Sequence, residues 1–151
     1  MSSCQLVVFS LGNEEYAINI SYAQEIIRIP EFTKLPTVPA FIEGIINLRG
    51  KIIPVFDLKK RFNMDQTERG SDSRLLILEL DGMKAAIIVD DVSEVMRVDD
   101  ETFENLSNEV VSMSKNSIDR VVIVEQRVII VLNALKLRDE ICKYNFGKEQ
   151  E

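Results

Sequence analysis

The chain has 151 residues, 46% hydrophobic and 28% charged, enough to bury roughly 70% of the surface its unfolded form exposes, with no disulfide or metal staple needed. A net charge of −7 argues against nucleic acid or an anionic membrane as partner, and the absence of histidine removes the commonest general base and neutral metal ligand. Cys4 and Cys142, near opposite ends, make neither a disulfide framework nor a zinc site; no apolar leader or run near ~18 residues is seen, so a cytoplasmic chain with reduced thiols and no membrane insertion is expected.

Residues 5–11 are β-rich, Gly12-Asn13 supplies a turn, and residues 15–20 alternate Tyr16, Ile18 and Ile20 against Glu15, Ala17 and Asn19. That pattern predicts a hairpin with one buried face. Ser21-Tyr22-Ala23-Gln24 has the spacing of a capping box and predicts one helical turn, cut short by Ile26, Ile27, Ile29 and Pro30. Pro36 and Pro39 make residues 33–40 a stiff extended connection.

The chain is organised around residues 41–58. Ile45-Ile46 and Ile52-Ile53-Pro54-Val55-Phe56 flank Asn47-Leu48-Arg49-Gly50, a hairpin in which Gly50 accepts a positive φ. Arg49 stands at its tip, either solvated or held out to a partner. Residues 28–61 hold seven basic and three acidic side chains, a net +4 in an acidic protein. That segment reads either as a solvated face or as a positive surface for an acidic protein partner. Asp57 caps a short helix with Leu58 and Phe62 on one side, and residues 63–73 are a polar loop and a candidate subdomain boundary.

Asp81-Gly82 joins a third hairpin, with Ile87, Ile88 and Val89 read as a strand covered on both faces. Residues 92–98 form another strand, Asp99 caps a short helix carrying Phe103, and residues 104–117 have no pattern. Residues 121–124 and 128–131 pair around Glu125-Gln126-Arg127, and Asn133 caps a closing helix with Leu137, Ile141 and Tyr144 on one stripe, ended by Gly147. Nine or ten short strands and three brief helices predict an all-β barrel or double barrel, closed so that no apolar strand edge is exposed.

Catalytic patterns are lacking: no G-x-S-x-G, Walker or G-x-G-x-x-G sequence is present. Asp90-Asp91 ends a strand and Asp99-Asp100-Glu101 opens a helix, places where carboxylates have ordinary structural reasons to sit. No cofactor and no metal is expected. A binding module fits better, because Arg49 and Lys51 lie near Val38, Pro39, Phe41 and Ile42, the mixture found at interface hot spots.

The sequence resembles the CheW-type adaptor domain of bacterial chemotaxis. The resemblance is carried by Glu14-Glu15-Tyr16-Ala17-Ile18-Asn19-Ile20, Gln24-Glu25-Ile26, the block from Pro39-Ala40-Phe41-Ile42-Glu43-Gly44 through Asn47-Leu48-Arg49-Gly50 to Pro54-Val55-Phe56-Asp57-Leu58, and Ile88-Val89-Asp90-Asp91-Val92. It spans residues 5–139, with residues 105–117 the weakest part and Ala86 standing where some relatives have glycine.

The resemblance implies one domain over residues 1–151, built as two small five-stranded β-barrels around a shared apolar core, with a few short helices and a C-terminal helix. It implies no catalysis. The implied role is to couple transmembrane chemoreceptors to the regulatory domain of the histidine kinase CheA, as a monomer when alone and as part of a ring in receptor arrays. A paralogous adaptor of a pilus or gliding pathway is the alternative. Arg49 is the residue expected to contact the receptor tip, with Gly50, Leu75, Ala86 and Val95 lining the same groove. Ile20, Ala23, Glu25, Phe41 and Gly44 match positions associated with the kinase, and the two sets are expected on separate surfaces.

Overall fold

The computed structural model describes residues 3–36, 38–62, 64, 70–105 and 118–142. In chain order these contain strands β1 (Ser3–Leu11), β2 (Glu14–Asn19), β3 (Ala23–Arg28), β4 (Ile42–Leu48), β5 (Lys51–Asp57), β6 (Arg74–Glu79), β7 (Lys84–Val89), β8 (Asp91–Asp99), β9 (Phe103–Asn105), β10 (Ile118–Val124) and β11 (Arg127–Leu132), and helices α1 (Leu58–Arg61) and α2 (Ala134–Cys142). One sheet runs β8-β1-β2-β11-β10-β9 and the other β3-β6-β7-β5-β4. The expected double-barrel architecture is present, with the three-residue β9 added at the edge of the first sheet.

Side-chain alternation sorts the apolar residues into three cores. Leu6, Val8, Ala17, Val122, Ile129 and Val131 fill the inside of the first sheet. Met96 of β8 and Phe103 of β9 pack on this same cluster, so the two edge strands curl toward each other. Ile46, Ile53, Val55, Leu75, Ile77, Ala86 and Ile88 fill the second sheet, and Ile27 of β3 and Leu48 of β4 show the same closure. The other faces supply Val7, Phe9, Leu11, Tyr16, Ile18, Leu76, Leu78 and Ile87, joined by Leu137 and Ile141 of α2, to a core shared between the sheets.

β1 and β2 are therefore buried on both faces, not on one as their alternation suggests, because Ala17 is small enough to enter the first barrel while Tyr16 and Ile18 face the shared core. β7 is covered on both sides as expected, with Ile87 in the shared core and Ile88 inside the second barrel.

Two pairings in the cores are parallel and join strands distant in sequence, β11 with β2 and β5 with β7. The second begins at Val55, one residue past Pro54, which has no N–H to donate. The chain changes sheet at a 3-10 turn, Ile20–Tyr22, and returns at Asp90 between β7 and β8. Most of 63–73 lies outside the described residues, but β5 and β6 on either side of it share one sheet, so the change of sheet does not fall there.

Two caps differ in detail from the sequence reading. Asn19, not Ser21, caps the turn after β2, its Oδ1 accepting from Ser21 N at 2.9 Å. Asp99 makes no side-chain cap to the 3-10 turn Asp100–Thr102, and Phe103 belongs to β9. Asp57 caps α1 and Asn133 caps α2 as expected, accepting from Lys59 N and Lys136 N. Tyr144 and Gly147 lie outside the described residues.

Candidate functional site

The β4–β5 hairpin turns on Arg49 and Gly50, both at positive φ (50° and 85°), the geometry whose twist matches the flanking strands. Asn47 fixes the turn by accepting from Gly50 N at 2.9 Å. Arg49 then reaches across to Glu25 on β3. Its Nη1 and Nη2 donate to the two carboxylate oxygens at 2.8 and 2.7 Å, a bidentate fork.

β3 and β4 are the outer strands of the second sheet, so this fork spans the seam at which the sheet closes. Arg49 nonetheless keeps 67% of its side chain exposed, because the tip projects past the strand ends. The hydrogen bonds from Arg49 hold the Glu25 carboxyl below its ordinary range, and the same bonds raise the guanidinium.

Beside the fork lies a cavity of about 220 Å³ floored by Leu48 and Ile53 and rimmed by Gln24, Lys51 and Lys84. Lys84 donates to Gln24 at 2.6 Å and pairs with Glu79 at 3.1 Å. Nothing in the local sequence marks Lys84 as part of this rim; only the antiparallel pairing of β3, β6 and β7 carries it there. A cationic fork beside an apolar floor suits carboxylates and backbone carbonyls of a protein surface.

The remaining expected positions divide by burial. Val95 on β8 is 51% exposed and Gly50 is exposed at the tip, so both offer surface. Leu75 and Ala86 are both at 0% exposure, packed with Val55 and Ile77 inside the second barrel. They do not line a groove; they support its floor from beneath.

Ile20 projects from the 3-10 turn, while Ala23 and Phe41 are half-buried against the shared core. Phe41 stacks on Phe56 at 6.3 Å and carries the Arg61 guanidinium over its ring. Gly44 is buried, and a Cβ there would stand 2.1 Å from the Thr33 carbonyl oxygen. Its smallness admits the backbone of Thr33, which exchanges two hydrogen bonds with Ile45 and helps to close the barrel.

The two sets of expected residues meet in the structure, because Arg49 of one grips Glu25 of the other. The basic segment is also less open than its sequence suggests. Lys59 is buried against Asp90, Lys60 bridges Glu43, and Arg61 bridges Glu140 on α2. Arg28, Lys34 and Lys51 keep exposed side chains. As for tyrosine chemistry, burial and then the Glu14 charge push the Tyr16 hydroxyl well above its ordinary pKa, and it donates to Glu14, so it is held protonated and unfit as a base.

Residues 5–142 match the family model described as CheW-like domain. The chain is 34% identical to the chemotaxis protein CheW of Treponema pallidum over 137 residues, covering 88% of this chain and 81% of that one. It is 30% identical to the chemotaxis protein CheW of Bacillus subtilis over 136 residues, covering 90% and 87%. The crystal structure of the scaffolding protein TtCheW from Thermoanaerobacter tengcongensis superposes with a TM-score of 0.81 at 40% identity, covering 88% of this chain and 86% of that one. Protein PilI of Pseudomonas aeruginosa is 26% identical over 95 residues, 63% of this chain and 53% of PilI.

Proposed function

The chain belongs to the CheW-like domain family, and on that premise we propose that it is a non-catalytic adaptor which couples the cytoplasmic tip of chemoreceptors to the regulatory domain of the kinase CheA. It acts in the cytoplasm, at receptor arrays. The observation that carries this reading is the Arg49–Glu25 fork: a charged pair on a stiff hairpin, bidentate yet largely open to solvent. An internal brace has no need of that exposure, whereas a docking group does. Arg49 and Gly50 meet the receptor, and Val95 on β8 offers it further exposed apolar surface; Leu75 and Ala86 act through packing. Glu25, Phe41 and Ile20 face the kinase, while Ala23 and Gly44 shape the strands that present them.

The two docking faces share a border at the fork and diverge from it. Each buries on the order of 800 Å² per partner or less, so stable arrays depend on many weak contacts acting together. Arg49→Ala is expected to keep its melting temperature and to lose receptor affinity by about thirtyfold, as at an interface hot spot. Pull-down with a receptor-tip fragment beside a melting curve tests this; undiminished capture contradicts it. The likeness to PilI favours a second reading, an adaptor of the same design in a pilus pathway. Offering fragments of receptors from both kinds of pathway to the same protein separates the two.

A further inference from the structure

Asp90 is the residue at which the chain leaves the second sheet for the first, and its side chain ties both sheets together. Its Oδ2 accepts from Gly12 N, in the β1–β2 turn of the first sheet, at 2.7 Å. Both carboxylate oxygens accept from Lys59 Nζ, on α1 at the end of the second sheet, at 3.1 Å. Its own N–H donates to Ser10 O at 2.9 Å. Lys59 is only 5% exposed while Asp90 is half-buried, so the ammonium end of the pair is shielded from bulk solvent, where hydrogen bonds to a charge are strong and directional.

The neighbouring residues of α1 repeat the pattern. Lys60 holds Glu43 on β4, and Arg61 holds Glu140 on α2, the helix that follows the last strand of the first sheet. A four-residue helix thus carries three cations to three different elements, two of which belong to the first sheet or to its connection.

We propose that Asp90 and Lys59 are positioning residues that fix the orientation of one barrel against the other, and so how Val95 on β8 is set relative to the Arg49 tip of the second sheet. The shared core supplies cohesion, but the hydrophobic effect behind it is non-directional. A half-buried carboxylate that must meet both a backbone N–H and a buried ammonium tolerates little. Cohesion and register are then separate properties held by separate residues, a division for which buried ion pairs are suited. The consequence for docking rests on the adaptor reading; the consequence for the free protein does not.

The test uses the full chain with Cys4 and Cys142 replaced by serine and spin labels on the exposed positions Gln5, in the first sheet, and Asp72, just before β6 of the second. Pulsed dipolar spectroscopy reads the distance distribution between them. Asp90→Asn keeps an acceptor for Gly12 and discards the charge that holds Lys59. Lys59→Met keeps the apolar stem. Each is expected to fold and to broaden the distribution roughly twofold, with Asp90→Glu restoring most of the narrow width. Both variants are expected to bind the kinase domain within about twofold of the parent, while receptor-fragment affinity, which draws on both Arg49 and Val95, weakens about threefold. Folded variants with the parental width overturn the proposal. Broadened variants of a parent that binds neither partner leave the positioning role standing and contradict the adaptor reading instead.

Discussion

Two hairpin tips in this molecule use the same chemistry for different ends. At the β10–β11 tip, Glu125 and Gln126 both sit at positive φ, and Arg127 beside them donates from Nε and Nη2 to Glu15 on β2 and from Nη2 again to Glu94 on β8. At the β4–β5 tip, Arg49 donates, among the described residues, to Glu25 alone. Arg127 is 36% exposed and shared between two carboxylates, so its bonding capacity is turned inward across the strands of its own sheet. Arg49 spans a seam with one partner and leaves most of its surface open. A guanidinium held by two carboxylates is a brace; one held by a single carboxylate, and still exposed, is a brace that also offers itself to a partner.

Breaking the seam beneath Arg49 has the largest effect. Gly44→Ala places a methyl against the Thr33 carbonyl, and urea denaturation is expected to record a loss of about 4 kcal/mol. Leu75→Ala, in the core under the fork, is expected to cost about 3 kcal/mol by cavity formation, while the molecules that remain folded keep their receptor affinity. Undiminished stability together with lost binding would mean that Leu75 reaches the partner after all. The two arginines themselves sharpen the contrast. Arg127→Ala is expected to lower the melting temperature by ~3 °C with docking retained, whereas Arg49→Ala loses docking with the melting temperature retained. The same outcome for both variants would erase the distinction.

The smallest effect is electrostatic. Glu25 and Glu15 are both depressed by hydrogen bonds from their arginines, so each pair contributes fully above the ordinary carboxylate value of 4.5 and is lost as pH falls through the depressed values. Carboxyl carbon shifts of Glu25 are expected to titrate below that value in the parent and to return to it in Arg49→Ala. Receptor binding is correspondingly flat with respect to this pair between neutral pH and pH 5.

What the sequence discloses here is local. Gly12-Asn13, Arg49-Gly50 and Asp81-Gly82 mark turns because positive φ leaves few other choices, and Asp57 and Asn133 mark helix starts because their side chains reach the second or third amide ahead. The resemblance to a family supplied the architecture. What stayed hidden depends on which distant faces meet. Glu25 and Arg49 are 24 positions apart, Lys59 and Asp90 31, and Arg61 and Glu140 79, and no periodicity couples such pairs. The run Lys59-Lys60-Arg61 therefore reads as a solvated positive face, whereas folding gives each cation a carboxylate. Leu75 and Ala86 came as groove positions from the family resemblance alone, and folding places both at 0% exposure inside the second barrel.

On the proposed function, one rigid molecule holds a receptor tip and a kinase regulatory domain together through two docking faces that would border on the Arg49–Glu25 fork. Sedimentation velocity on equimolar mixtures of the chain, a receptor-tip fragment and the kinase regulatory domain tests this most directly. The expected result is a single faster boundary containing all three components, lost with Arg49→Ala. Displacement of the kinase domain by rising receptor fragment, with only binary species present, would contradict it.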